Sequence, residues 1–159
     1  MKLEVDKSVW NKMKQRLSKD SMELRVGWFE GDRYGPENDN LPVAQIAKWN
    51  EEGTETNPTR PFIRVGFMQP VQKGIYNSYF IESMQKIAEG KSSFSQEYRK
   101  LAPMVRKDFQ EVIEEWSTPP NSPVTIERKG FNNPLIDTGT MHDSVSWMIA
   151  SSKSAQGEE

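Results

Sequence analysis

With 159 residues, no cysteine and a net charge of −2 at neutral pH, the chain excludes disulfides, thiolate metal sites and the cation-rich surface of a dedicated nucleic-acid binder. This length fits one domain burying roughly 70% of its unfolded surface, enough for a core without covalent or metal staples. A hydrophobic content of 35%, 28% charged residues and a mean hydropathy of −0.79 are polar for a compact globule, which points to long loops, an exposed helix or subunit contacts.

The first residues lack the apolar core of a secretory signal. No run approaches the ~18 apolar residues of a membrane span, so a soluble protein made in the cytoplasm is expected. Val9, Trp10, Met13 and Leu17 share one helical face, with Asp6 or Ser8 as cap and Lys12, Lys14, Arg16 and Lys19 outside. From Met22 the period changes to two. Met22, Leu24, Val26 and Trp28 alternate with Glu23, Arg25 and Gly27, the pattern of a half-buried strand. Residues 31–40, GDRYGPENDN, are rich in turn formers and acids and read as a projecting loop.

The stretch 42–64, PVAQIAKWNEEGTETNPTRPFIR, is the hinge around which the other segments are placed. Val43, Ile46, Ala47 and Asn50 give helical spacing, Pro42 fits a first helical position, and Gly53 fits a left-handed stop. Residues 54–59 contain no apolar side chain. Pro58 and Pro61 push the residues before them towards extended geometry, so an exposed, stiffened loop should return to the body beside Phe62. Arg60 and Arg64 flank that return. Aromatic and arginine side chains are common anchors of protein contacts; the equal alternative is that Phe62 plugs the core and the arginines are solvated.

A long helical region comes next. Phe67, Val71, Ile75, Tyr79, Met84 and Ile87 make a drifting stripe that stops at Gly90. A cleaner stripe runs from Phe94 through Leu101, Val105 and Phe109 to Trp116, and Pro103 marks either a kink in it or a helix start near Leu101. The two helices should form an antiparallel pair covering a sheet. Residues 117–134 hold four prolines and read as loop, with a short strand at Val124 to Arg128. Val145, Trp147 and Ile149 alternate with Ser144, Ser146 and Met148 as a second strand, and residues 151–159 read as a flexible polar tail behind a single domain at 1–150. The fold class expected is α+β: a small antiparallel sheet packed against long helices, with extended loops.

Candidate chemistry is sparse. Asp137-Thr138-Gly139 follows two apolar residues, as an aspartic protease presents its carboxylate. Only 20 residues follow Gly139, too few for the flap and second apolar loop of a protease half, so a structural turn is the better reading. His142 is the only histidine, and a hydrolase using Asp137 or His142 is the lesser alternative. Glu111, Glu114 and Glu115 read as a solvated helix face without a partner for acid–base work. No glycine-rich phosphate loop is present. Neither an enzyme, a cofactor, a metal nor a small-molecule substrate is expected.

Two separated pieces carry a family resemblance. The first, VAQIAKWNEEGTETNPTRPFIR, resembles the helix, Asn-Glu-x-Gly-Thr, polar loop and Arg-Pro-Phe of bacteriophage minor tail components of the neck and tail-completion type. The second, NPLIDTGTMHDSVSW, resembles the Pro-Leu-Ile-Asp-Thr-Gly turn and following strand near the C-terminus of the same proteins. Order and separation also match. Trp49 and Glu52 depart from the pattern, where many relatives carry a smaller residue and a Phe respectively.

The resemblance implies a structural virion protein joining the head or its connector to the tail tube, or else a tail terminator at the tail end. It implies a homo-oligomeric ring, hexameric or higher, with other phage neck, connector and tail proteins as partners and genomic DNA passing through the lumen without specific binding. Its place would be the virion, with synthesis in the host cytoplasm and no membrane. The candidate partner contacts are Gly53, Thr54, Glu55, Thr56, Asn57, Arg60, Phe62 and Arg64, together with the loops at 31–40 and 117–134.

Overall fold

The computed structural model describes residues 7–19 and 22–151. The expected Asp6 cap and almost all of the expected tail lie outside that range. The described chain forms α1 (Ser8–Lys19), β1 (Met22–Gly27), a 3-10 turn (Pro36–Asn38), α2 (Val43–Glu52), α3 (Phe62–Gln72), α4 (Asn77–Ala88), α5 (Phe94–Glu115), α6 (Pro123–Lys129), α7 (Thr140–Asp143) and β2 (Ser146–Ser151). This is an α+β fold with a two-stranded antiparallel sheet. The register runs from Met22 opposite Ser151 to Gly27 opposite Ser146, so the sheet joins the strand after α1 to the last described residues.

Helix α5 is the central support, because it packs on both strands, on α3 and on α7. Its start is fixed by a reciprocal capping box. The Ser93 hydroxyl accepts from the Gln96 N–H, and the Gln96 side chain accepts from the Ser93 N–H. The helix runs unbroken from Phe94 through Pro103, so of the two readings of that proline the start near Leu101 is the wrong one. Leu101, Ala102, Phe109 and Ile113 are its buried stripe. Phe109 and Ile113 join Val43, Ala47, Phe62, Leu135, Met141 and Val145 in one core, with Trp28, Tyr34 and Trp116 packed against it.

Three expectations change. The drifting stripe after Phe62 is two helices, because Gly74 at φ +66° turns the chain between α3 and α4. Only α3 packs broadly on α5, whereas α4 carries α1. Phe67, Val71, Ile75 and Met84, expected inside, are exposed, as are Val9 and Trp10 of α1. The expected strand at Val124 to Arg128 is instead α6. Ser122 caps it by accepting from the Thr125 N–H, Pro123 occupies the first turn where no N–H is needed, and Gly130 closes it in the left-handed region. The loop at 31–40 is closed by its own backbone bonds. The Tyr34 N–H donates to the Leu41 carbonyl at 3.0 Å, and Arg33 bridges Pro42.

The N-terminal end of α5 is locked to α4 by a buried carboxylate. Glu97, 3% exposed, accepts from Lys100 Nζ at 2.8 Å, the Ser92 hydroxyl at 2.5 Å, the Ser83 hydroxyl at 3.0 Å and the Tyr79 hydroxyl at 3.2 Å. The hydrogen bond from Lys100 and then that from Ser92 outweigh burial and bring its pKa down to about 2, from an ordinary 4.5. A carboxyl with a depressed folded-state pKa adds stability that is complete above the unfolded value and is lost as pH falls through the folded one. The stability difference between wild type and Glu97→Gln is therefore expected to be largest above about pH 4.5 and to shrink between there and about pH 2, measured by denaturant unfolding across that window. A difference independent of pH would refute the assignment.

Candidate functional site

The two sequence pieces at 43–64 and 133–147 meet in space. At the end of α2, Asn50 and Glu51 hold the returning chain. The Arg60 N–H donates to the Asn50 carbonyl at 2.7 Å. The Glu51 carboxylate accepts from the N–H groups of Ile63 at 2.7 Å and Arg64 at 3.2 Å, so it caps the first turn of α3, where an acid also meets the positive end of the helix dipole. Phe62 is then fully buried, edge-on to Trp28 at 5.8 Å and to Trp116 at 6.5 Å between ring centres.

Between these anchors the loop 53–59 closes on itself. The Thr54 N–H donates to the Asn57 carbonyl, the Asn57 N–H to the Thr54 hydroxyl, and the Thr59 hydroxyl to the Glu52 carbonyl. Gly53 stops α2 at φ +79° but with ψ 173°, an extended glycine-only conformation rather than the expected left-handed stop. A Cβ there would sit 2.8 Å from the Thr59 hydroxyl and 3.0 Å from the Thr59 nitrogen. Glycine is thus required on two counts.

Of the expected contact residues, Thr54, Glu55, Thr56, Asn57 and Arg64 are exposed and Gly53 is half-buried. Arg60 and Phe62 are not at the surface. Arg60, 6% exposed, donates from Nε to the Pro119 carbonyl at 3.1 Å, from Nη2 to the Pro120 carbonyl at 3.4 Å and from Nη1 to the Asn50 side chain at 3.2 Å. It pins the segment after α5 to the end of α2. The aromatic fills the core and the arginine holds two loops together, so neither is the exposed contact residue expected.

The second piece is organised by Asn133, a residue not among those singled out from the sequence. Its side-chain oxygen accepts from the N–H groups of Leu135 at 2.8 Å and Ile136 at 3.0 Å, while its amide nitrogen donates to the Ile113 and Glu114 carbonyls at the end of α5. An Asn before a Pro and two apolar residues is a turn signal that could have exposed this role. Leu135 enters the core, Asp137 pairs with Arg128 at 3.5 Å, and Gly139 at φ +86° starts α7. Thr138 makes the local turn bonds, its hydroxyl lying 2.7 Å from that of Thr140. The Met141 carbonyl then accepts from Trp28 Nε1 at 2.7 Å, which ties this piece to the rings around Phe62.

The loop 53–59 and the segment 117–137 enclose a cavity of about 480 Å³ whose walls include Asn57, Arg60, Thr125, Arg128, Lys129 and Asp137. The field of Asp137 reaches Tyr34 as well. Burial and then the charge of Asp137 push the Tyr34 hydroxyl up to about 12.

His142 sits apart from this cavity. Its Nε2 lies 2.9 Å from Glu114 and its Nδ1 2.7 Å from Asp143, so both ring nitrogens face carboxylates. The Ser144 hydroxyl donates to the Thr140 carbonyl at 2.6 Å, not to the imidazole. Glu111, Glu114 and Glu115 are exposed along α5, as expected of a solvated face, with Glu111 in a surface pair with Lys107 at 2.6 Å. Among the described residues no group of three or more His, Asp or Glu side chains is placed to hold a metal ion. Comparison with protein-family models, with curated proteins and with solved structures gives no match.

Proposed function

We propose that the chain is a structural subunit of a bacteriophage virion that assembles into a ring at the head–tail junction, with the tail terminator at the tail end as its alternative position. The observation that carries this reading is an apolar face on α3 and α4 that the described residues leave uncovered. Phe67, Val71 and Phe80 open into a groove of about 540 Å³ walled by Leu24, Val26, Leu101 and Phe109. Ile75 and Ile81 stand beside them in sequence, each more than half exposed. Soluble monomers seldom leave such a concentration of large apolar side chains in water, and a second copy of the chain covers it in a closed ring, where one surface meets a different one.

The exposed, self-bonded loop 53–59 on its pinned base suits a connector to a neighbouring subunit. A chain of net charge −2 also suits a lumen through which DNA passes without sticking. These features agree with the family resemblance of the two sequence pieces.

The test is complementation of phage lacking this chain. Full heads and tails are expected to accumulate unjoined, and the wild-type protein to restore joining. Tails of uncontrolled length would place the protein at the tail end instead. The double substitution Ile75→Asp and Ile81→Asp changes only exposed positions, so it should fold with unchanged far-UV circular dichroism yet restore neither joining nor ring formation. Normal particles in the complete absence of the chain would overturn the virion reading; normal joining by the double variant would overturn the assembly face.

A further inference from the structure

The cavity between loop 53–59 and α6 has an unbalanced charge. Its ionisable walls are Arg60, Arg128, Lys129 and Asp137, three cations against one carboxylate. Asp137 is engaged by Arg128 at 3.5 Å. Lys129 Nζ donates to the Asn133 carbonyl at 2.8 Å and to the Ile136 carbonyl, and it lies 4.7 Å from the centre of the Phe131 ring. Arg60 meets only neutral acceptors. Among the described residues neither Arg60 nor Lys129 has a carboxylate within ion-pair distance.

A guanidinium removed from water without an anion is costly, and proteins normally pair such a charge. Burial holds Arg60 and Lys129 below their ordinary pKa values, and for Lys129 the neighbouring Arg128 and Arg60 add to that effect against Asp137. An added negative charge would relieve both. Donors are also at hand. A guanidinium carries five N–H groups, and the three acceptors of Arg60 leave one on Nη1 and one on Nη2. The side-chain amide of Asn57, on the loop side of the cavity, has no partner among the described residues, and the Thr125 hydroxyl, 2.9 Å from that of Ser122, lines the α6 side.

We infer that this cavity is a binding site for an oxyanion, held by Arg60 and Asn57 in the field of Arg128 and Lys129. The charge-assisted fork of an arginine suits both phosphate and carboxylate oxygens. The source is either free phosphate or an acidic side chain presented by a neighbouring protein. Neither requires the virion reading to be correct.

The test titrates the wild-type protein with inorganic phosphate and, separately, with acetate, following the Arg60 Nε–H and Asn57 side-chain amide signals by NMR. Saturable shifts of both, with a dissociation constant of about 1 mM or tighter, are expected for at least one anion. Saturation by phosphate alone assigns the site to free phosphate, whereas saturation by acetate as well assigns it to a carboxylate side chain. Asn57→Asp, an exposed change that puts a carboxylate on the loop side of the cavity, should weaken binding by at least about tenfold, whereas Lys73→Glu on the turn after α3 should leave it unchanged. Linear, unsaturated shifts with both anions, or equal binding by Asn57→Asp, would overturn the assignment.

Discussion

Replacement of Phe62 by alanine is expected to destabilise the protein by about 3–5 kcal/mol, the range for emptying a closed aromatic site. Phe62 has no solvent exposure and is clasped edge-on by Trp28 and Trp116, whose own placements depend on it. Trp28 is fixed at its far side by the bond to the Met141 carbonyl, so it cannot swing inward to fill the void. Trp116 ends α5 and is held from the other side by the Asn133 bonds to that helix terminus. The site therefore has little room to collapse, which places the cost towards the upper part of the range. A domain of this size commonly has about 5–15 kcal/mol in total. Such a loss lowers the melting temperature by roughly 6–20 °C at about 2–4 °C per kcal/mol. Thermal and denaturant unfolding of Phe62→Ala and Phe62→Leu measure it; a loss below about 1 kcal/mol in the alanine variant would mean that the three-ring cluster is not the keystone of the core.

The same residue shows where sequence reasoning reaches and where it stops. The alternation from Met22 to Trp28 and from Val145 to Ile149 identifies both strands, because a two-residue period with one apolar face has few other uses. Val43, Ala47 and Gly53 likewise mark α2 and its end. Periodicity fixes a face, but it does not say what covers that face. Phe67, Val71, Ile75 and Met84 fit a helical stripe with some drift and are nonetheless exposed, since Gly74 turns the chain within it and no later described element packs over them. Helix α6 was hidden by its prolines, although Ser122, Pro123 and Gly130 are the start and stop residues of a short helix.

The roles of Arg60 and Asn133 are less legible still. Their bonds reach partners about 60 and 20 positions away in the chain, and no local pattern records that distance. Their own bonds tie the two pieces to the end of α2 and the end of α5. In space they are two arms of one clamp: Arg60 fastens the segment that leaves α5 to the end of α2, and Asn133 caps α5 as the chain returns. The exposed loop 53–59 is carried on that clamp, so its shape depends on bonds made by buried residues as well as on its own.

The clamp makes Arg60→Lys a sharper test than removal of the side chain. Lysine keeps the charge and most of the apolar stem, but its single nitrogen cannot serve the Pro119, Pro120 and Asn50 oxygens, which surround different edges of the guanidinium. Bonds from a charged donor are worth about 1.5–3 kcal/mol each, and part of the loss is recovered by water at the exposed Pro120. The net cost expected is about 2 kcal/mol. Its location should be specific. The segment 117–122 loses two of the bonds that fix it, so it should become the first site of limited proteolysis while the sheet and α5 stay protected. Asn50→Ala removes one acceptor without touching the others, and the double variant should then show coupling of about 1 kcal/mol with Arg60→Lys. Strict additivity of the two substitutions, together with unchanged cleavage in 117–122, would show that the guanidinium sits among these oxygens without holding them.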